Sequence, residues 1–279
     1  MLKRILIPLD GTDYARSAVA KGIRMAKNTG ASLAGLVVVD EPGITHPEMV
    51  PAGAYEYLEQ KHKTLLEQAH AKAGDCLERF HDTCKQEGVE AYSLTRVGTP
   101  WEVVVQESHQ HDLVVMGQET CFCHESTPKK PCITLDNVLK HCVRPIIAVP
   151  QKLPAVGKGI LMATDGSDTF SRTLQIYQLM GLAGRRTVRV VSVDKKMEVA
   201  QKNCEEVAGY LGAHNIKTEL HPVESSEAPR DFLLNLVENE PPEILVIGSH
   251  GHSAIREFLF GSVAETLVPK SPVPVFIYH

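Results

Sequence analysis

The sequence lacks the features of several protein classes. No apolar run approaches the roughly 20 residues that span a bilayer. The N-terminal segment Met1–Pro8 enters a strand-like run directly, without the pattern of a signal peptide. Seven cysteines, an odd number, do not fit a secreted disulfide framework. We therefore expect a cytoplasmic, reduced protein that has no membrane partner.

A strong excess of one charge is also missing. Residues 1–150 carry 16 Lys+Arg against 19 Asp+Glu, a net charge of −3, and residues 151–279 carry 13 against 15, a net charge of −2. Binding to nucleic acid is driven by a basic excess, which neither half has. We therefore expect no nucleic-acid partner.

Common catalytic and nucleotide-binding signatures are absent as well. The chain has no Gly-Lys-Ser/Thr of a Walker A loop and no G-x-G-x-x-G fingerprint. It has no Ser-His-Asp signature and no motif of paired carboxylates. We therefore assign no catalytic residue.

What the chain does contain is an internal repeat. The segment Lys3–Asp13 is echoed by Lys158–Asp168, and both carry Asp-Gly followed by Ser or Thr. Asp112–Gly117 is echoed in the same way by Glu243–Gly248. A Pro/Gly-rich linker, Pro150–Gly157, separates the copies. The repeat predicts two domains, residues 1–150 and 151–279.

Within each repeat, short apolar strands alternate with helices, which indicates a parallel sheet covered by helices on both faces, an α/β fold. In the first helix, the spacing of small and apolar residues predicts a buried stripe, and Gly30 predicts its end. The predicted strands are 3–9, 32–39, 91–97, 112–116 and 145–149, then 159–164, 187–193, 217–223, 244–247 and 274–278. The predicted helices of the first repeat are 12–28, 55–87, 100–109 and 134–141, with a Pro/Gly-rich loop at 41–53.

A glycine-punctuated loop follows the strand 244–247. Its spacing is G-x2-G-x9-G-S, from Gly248 to Ser262, and a helix begins at about Val263. Glycines let a backbone approach a phosphate closely, and the free N–H groups of a helix N-terminus point at the anion. This loop therefore predicts a phosphate-binding site.

With these residues assembled, the chain resembles the universal stress protein family over essentially its whole length. The resemblance implies two tandem five-stranded parallel sheets in the order 3-2-1-4-5. It also implies a regulatory or binding protein of the stress response that binds ATP or AMP, with Mg²⁺ as an accompanying ion, in the second half. The cofactor-binding residues that it implies are Asp165 and Val193 at the adenine–ribose side, Gly248, Gly251, Gly261 and Ser262 around ribose and phosphates, and Val263 through its backbone. The loop also carries His250, His252 and Arg256. These side chains are at least as readily solvated as bound to phosphate, and of the three we expect Arg256 to be the phosphate contact.

The first half departs from the family pattern. The second glycine position holds Thr120, and the Gly-Ser position holds Ile133-Thr134. Glu119 and Glu125 would repel a phosphate. We therefore expect the first half to bind nucleotide weakly or not at all. Asp10 and Val39 keep their positions in the family pattern, so an altered pocket remains an alternative.

The altered loop is rich in potential metal ligands, namely Cys121, Cys123, His124 and Cys132. Their spacing is not the usual zinc knuckle, and a matching second pair is missing. A metal is therefore not assigned; a zinc or redox sensor stays an alternative function, and slow ATP hydrolysis is another. Cys76 and Cys84, on the long helix, are expected to be packing residues.

The last strand of each repeat is a sheet edge in the order 3-2-1-4-5, and bare edges seek partners. Family dimers commonly pair these strands. We expect 145–149 and 274–278 to meet inside one chain, which leaves further homodimerisation and the protein partner open.

Overall fold

The computed structural model describes residues 1–46, 51, 53–122, 133–155, 157–249 and 261–278. These residues form two compact units, one of residues 3–143 and the other of residues 1–2 and 144–279. The boundary between sequence domains near residue 150 stays a prediction.

The first unit is a parallel sheet with flanking helices. Its strands lie in the order β3-β2-β1-β4. Helix α1 packs on β1, β2 and β4, and α3 packs on β2 and β3. The bounds are β1 Arg4–Pro8, α1 Asp13–Thr29, β2 Ser32–Val39, α2 Glu41–Ile44, α3 Tyr55–Gln86, β3 Ala91–Val97, α4 Pro100–Ser108, β4 Leu113–Gly117 and α5 Thr134–His141.

The second unit contains a parallel sheet in the order β8-β7-β6-β9-β10, which is 3-2-1-4-5 in repeat numbering. Strand β5 pairs with β10 in the antiparallel sense. The bounds are β5 Ile146–Val149, β6 Ile160–Ala163, α6 Asp168–Leu179, β7 Val188–Asp194, α7 Met197–Ala213, β8 Thr218–Glu224, α8 Pro229–Asn239, β9 Ile244–Gly248, α9 Ser262–Lys270 and β10 Val275–Tyr278.

The predicted fold class is confirmed, and so is the meeting of the two final strands. Phe276 of β10 pairs with Ile147 of β5. The predicted elements agree with the observed ones within a few residues. One difference is α2, which lies in the segment 41–53 predicted as a loop. The Asp40 side chain accepts a hydrogen bond from the Gly43 N–H and thereby caps this single turn.

Helix α1 shows why these predictions hold locally. Thr12 caps its N-terminus by accepting a hydrogen bond from the Ala15 N–H, and Gly30 ends it in the left-handed conformation. The predicted stripe is buried, comprising Ala15, Ala18, Val19, Gly22, Ile23 and Ala26. Its burial fixes the face of α1 that packs on the sheet.

No helix among the described residues is both long enough and apolar enough to cross a membrane.

Candidate functional site

The second unit brings the two predicted loops to one edge of its sheet. Strand β6 lies between β7 and β9, and Ala163 of β6 pairs with Val191 on one side and Ile247 on the other. The loops after β6 and β9 therefore leave adjacent parallel strands at their carboxyl ends. In doubly wound sheets this is the crevice in which ligands bind.

The loop after β6 is a tight turn held by its own side chains. The Thr164 hydroxyl accepts a hydrogen bond from the Gly166 N–H, and Asp165 Oδ1 accepts one from the Ser167 N–H at 3.0 Å. Ser167 then caps α6 by accepting from the Phe170 N–H. Ser167, rather than Asp165, is thus the helix cap, and the exposed Asp165 carboxylate keeps its Oδ2 without a described hydrogen-bond partner.

Gly166 needs its lack of a side chain for two reasons. Its φ is +75°, in the left-handed region. A Cβ there would also lie 2.5 Å from Oδ1 of Asn203, on α7. The Asn203 amide donates to the Ser192 hydroxyl at 3.2 Å, so it is anchored to β7 beside the turn. Sequence reasoning missed Asn203, because α7 lies between the repeat motifs and nothing local marks that side chain.

The predicted base-side residue, Val193, is the next-to-last residue of β7 and is half-buried. It lies one strand over from β6, at the same end of the sheet as Asp165. Its role in contacting the base stays a prediction.

The loop after β9 begins with a close contact. A Cβ on Gly248 would lie 3.0 Å from the backbone nitrogen of Phe170 and 3.1 Å from its Cα. Gly248 therefore has a packing reason of its own, because it lets the first turn of α6 approach the end of β9.

The ends of this loop are tied together. The Gly261 N–H donates to the Ser249 carbonyl at 2.9 Å, and Ser249 is fully buried. Gly261 is the N-cap of α9, where no side-chain cap is described, and Ser262 begins the helix with its side chain exposed. Val263 follows within the same turn. The predicted place of Gly261 and Ser262 at a helix N-terminus is confirmed, whereas Gly251 and Arg256 lie outside the described residues.

The corresponding place in the first unit is filled. Asp10 is 3% exposed, and its Oδ1 accepts hydrogen bonds from the Thr12 N–H and hydroxyl. Its Oδ2 accepts the Cys121 N–H at 2.6 Å. Both carboxylate oxygens are thus used by the protein itself, one of them by the altered loop.

Further residues of the altered loop after β4 are buried or hydrogen-bonded within the first unit. Phe122 is buried, and the Thr120 N–H donates to the Gly117 carbonyl. Burial, together with the charge and hydrogen bond of Glu119, raises the pKa of Tyr14, on α1. Glu119 of the altered loop therefore interacts with Tyr14, near the start of α1.

The base side of the first unit is also covered. Val39 is 1% exposed and packs in a cluster with Ile44 of α2 and Ala69 of α3. Its carbonyl accepts the Gly98 N–H. Val39 and Asp10, which keep the family's positions in the sequence, are both enclosed by this chain's own residues.

Three of the four candidate metal ligands, Cys123, His124 and Cys132, lie outside the described residues. Cys121 is partly exposed and forms no disulfide with another described cysteine. Within the described ranges, no three His, Cys, Asp or Glu side chains converge in a way that could hold a metal.

Cys76 and Cys84 are buried on α3 as expected, and burial raises the pKa of the Cys84 thiol to about 11.

Comparison with known proteins adds the family. Universal stress protein Slr1230 of Synechocystis is 22% identical over 100% of both chains. A solved universal stress protein from Archaeoglobus fulgidus covers 99% of this chain, and 97% of its own chain is matched, with 18% identity and a TM-score of 0.68. An Arabidopsis thaliana family protein solved with AMP bound covers 55% of this chain and is matched over 96% of its own, at 15% identity and a TM-score of 0.36. AMP is thus a ligand of that relative.

The model of the universal stress protein family matches the chain twice, over residues 1–150 and 158–279. The two matches together cover nearly the whole chain and repeat the tandem arrangement of its strands and helices. The chain therefore belongs to the universal stress protein family.

Proposed function

We propose that the protein binds one adenine nucleotide, ATP or AMP, at the carboxyl edge of β6, β7 and β9 in the second unit, and acts as a regulatory or binding protein. The observation that carries the proposal is the pairing of β6 with both β7 and β9. This pairing supports the proposal because Asp165, Val193 and the ends of the G-x2-G-x9-G-S loop then lie at the carboxyl ends of neighbouring strands.

The chemistry of the described residues supports each part of the nucleotide. An exposed carboxylate, Asp165, accepts hydrogen bonds from ribose hydroxyls. The N-terminus of α9 offers backbone N–H groups and the Ser262 hydroxyl to a phosphate. Gly251 enters the proposal through the family resemblance of the loop, and Arg256 enters it as the expected cationic contact of the phosphates. Mg²⁺ would accompany the phosphates of ATP.

We further propose a stoichiometry of one nucleotide per chain. In the first unit Asp10 has no free carboxylate oxygen, and Val39 is covered by Ile44 and Ala69. A nucleotide there would have to displace buried side chains and break the hydrogen bond between Asp10 and the Cys121 N–H. Both changes cost free energy, and binding in the second unit requires neither.

The experiment is calorimetric titration of the purified chain with ATP, with and without Mg²⁺, and with AMP. Asp165→Ala should lower the affinity by about tenfold or more, because a charge-assisted hydrogen bond is lost. Asp168→Ala is the matched control, since Asp168 is also exposed and lies three residues on, in the first turn of α6. Equal affinity of the two variants would refute the site.

The same titration tests the stoichiometry. Asp10→Ala should leave the number of nucleotides per chain at one. Two sites in the wild type, with one of them lost in Asp10→Ala, would show that the first unit binds nucleotide after all.

A further inference from the structure

A second concave surface lies in the first unit, and its lining includes Gly11 and Thr12, which follow β1. A cavity of about 520 Å³ is lined mainly by residues of helices α1 and α3 and is here called the α1/α3 groove. Its volume is within the range of small-molecule sites. It lies in the unit whose family site is enclosed, and it includes none of the residues of the altered loop after β4 that are described.

The floor of the α1/α3 groove is apolar. Val19 and Ile23 of α1 face Phe80 of α3 across it, and all three are 8% exposed or less. Gly35 of β2 lets the Phe80 ring sink onto the sheet, since a Cβ there would lie 2.6 Å from the ring. The floor is therefore a built hydrophobic surface, which favours a ligand with an apolar body.

The rim of the groove carries three guanidinium groups, those of Arg16, Arg24 and Arg79. Arg16 is paired with Asp13. Within the described residues Arg24 has no ion-pair partner. Arg79 donates through Nε to the backbone carbonyl of Asp75, which does not neutralise its charge.

The acidic side chains at the rim are fewer and one of them is already paired. The groove is lined by two carboxylates, Asp82 and Glu87. Glu87 is engaged by Lys27. Among the described residues, two guanidinium groups without a carboxylate partner, Arg24 and Arg79, thus face one unpaired carboxylate, Asp82, so the rim favours an anion over a cation.

We propose that the α1/α3 groove binds a small amphiphilic anion, an aliphatic carboxylate whose chain lies on Val19, Ile23 and Phe80 and whose head group meets Arg24 and Arg79. The apolar floor excludes a strongly hydrated polyanion as the main occupant, because burying its charges there would be costly. The cationic rim gives the carboxylate a charge-assisted partner at the solvent side. The site is separate from the proposed nucleotide site.

The test is calorimetric titration of the full chain with monomeric dodecanoate. We expect one dodecanoate per chain. Ala20→Trp should abolish or strongly weaken binding, because Ala20 is an exposed lining residue and a Trp side chain fills the groove without entering the core. Arg24→Glu should weaken binding by roughly tenfold, since it replaces an attractive charge by a repulsive one.

Matched controls separate the groove from non-specific adsorption. Ala71→Trp adds the same side chain at an exposed position of α3 that does not line the groove, and Arg172→Glu reverses an exposed charge on α6. Both should bind dodecanoate as the wild type does. Dodecylammonium, with the same alkyl chain and the opposite charge, should bind at least tenfold more weakly.

Three results would overturn the proposal. These are no dodecanoate binding by the wild type, equal binding by Ala20→Trp and Ala71→Trp, and equal binding of dodecanoate and dodecylammonium. Circular dichroism of each variant establishes that it is folded, and both groove substitutions are at exposed positions, so a loss of binding reports on the groove.

Discussion

The Asp10 carboxylate accepts a 2.6 Å hydrogen bond from the backbone N–H of Cys121, a residue 111 positions later in the chain. Asp165, in the same Asp-Gly-Ser/Thr motif of the second repeat, is exposed, and its described hydrogen bond is to Ser167, two residues away. In the first unit the carboxylate of the motif thus makes a structural hydrogen bond to a distant segment, and in the second unit it faces solvent.

This difference predicts unequal effects on stability. Asp10→Ala should lower the free energy of unfolding by about 1.5–3 kcal/mol, because it removes a buried, charged acceptor and leaves donors unsatisfied. Asp165→Ala should lower it by less than about 1 kcal/mol, since water replaces the exposed carboxylate. Urea unfolding followed by circular dichroism measures both. Equal losses of unfolding free energy in the two variants would contradict a structural role for the Asp10 hydrogen bonds.

The close contact between Gly248 and Phe170 gives a second prediction about stability. In Gly248→Ala the new methyl group meets the backbone of Phe170 at about 3 Å, and a backbone cannot rotate away. The expected loss is about 1–3 kcal/mol, as for other overpacked sites. Gly209→Ala is the control, because Gly209 lies within α7 and a Cβ there meets nothing within 4 Å. That substitution should stabilise the protein by about 0.5–1 kcal/mol, and thermal unfolding would reveal both signs.

Asn203 is predicted to take part in nucleotide binding, an expectation that rests on the proposed function. Its amide contacts the Gly166 turn and is anchored by Ser192, so it lies between the ribose side and the base side of the crevice. Asn203→Ala should weaken binding of AMP by several-fold to about tenfold. Gln201→Ala, on the same helix but paired with Glu205, should leave it unchanged. Identical titration curves for the two variants would exclude Asn203 from the site.

His111 predicts how the first unit responds to acid. It is 4% exposed, its Nδ1–H donates to the Glu107 carbonyl at 2.7 Å, and its Nε2 accepts from the Tyr92 hydroxyl at 2.9 Å. Burial lowers the pKa of His111, and the charge of Arg4 acts in the same direction, whereas Glu107 and Asp112 oppose it. The folded protein therefore holds this imidazole neutral.

Since the pKa of His111 in the folded state is below the unfolded value of about 6.5, the unfolded state binds the proton more readily. The stabilisation is fully present above about pH 6.5 and is lost as the pH falls toward the folded pKa. His111→Gln should flatten this fall in the free energy of unfolding, measured by urea unfolding at a series of pH values between about 7 and 5. His70→Gln, at an exposed position of α3, should keep the wild-type profile. A profile unchanged in His111→Gln would show that other groups cause the acid response.

The repeat, the parallel α/β class and the bounds of most elements could be predicted from the sequence alone. Strand β2 begins and ends as predicted, at Ser32 and Val39, and α1 ends at Gly30. These features follow from local physics, namely the period of the apolar residues, helix caps and the left-handed glycine, all of which act over a few residues. The spacing of glycines from Gly248 to Ser262 is likewise a local pattern, and it marks one end of the candidate site.

The altered loop predicted weak nucleotide binding in the first copy, but the contacts that enclose its Asp10 and Val39 could not be predicted from the sequence. Asp10 and Asp165 are indistinguishable in their local sequence motif, and the difference between them is made by Cys121, far along the chain, while Ile44 and Ala69 cover Val39. The place of Asn203 over Gly166 and the gap between α1 and α3 are of the same kind. Such features depend on how side chains from distant segments pack, and close packing responds to shape in three dimensions rather than to the order of residues along the chain.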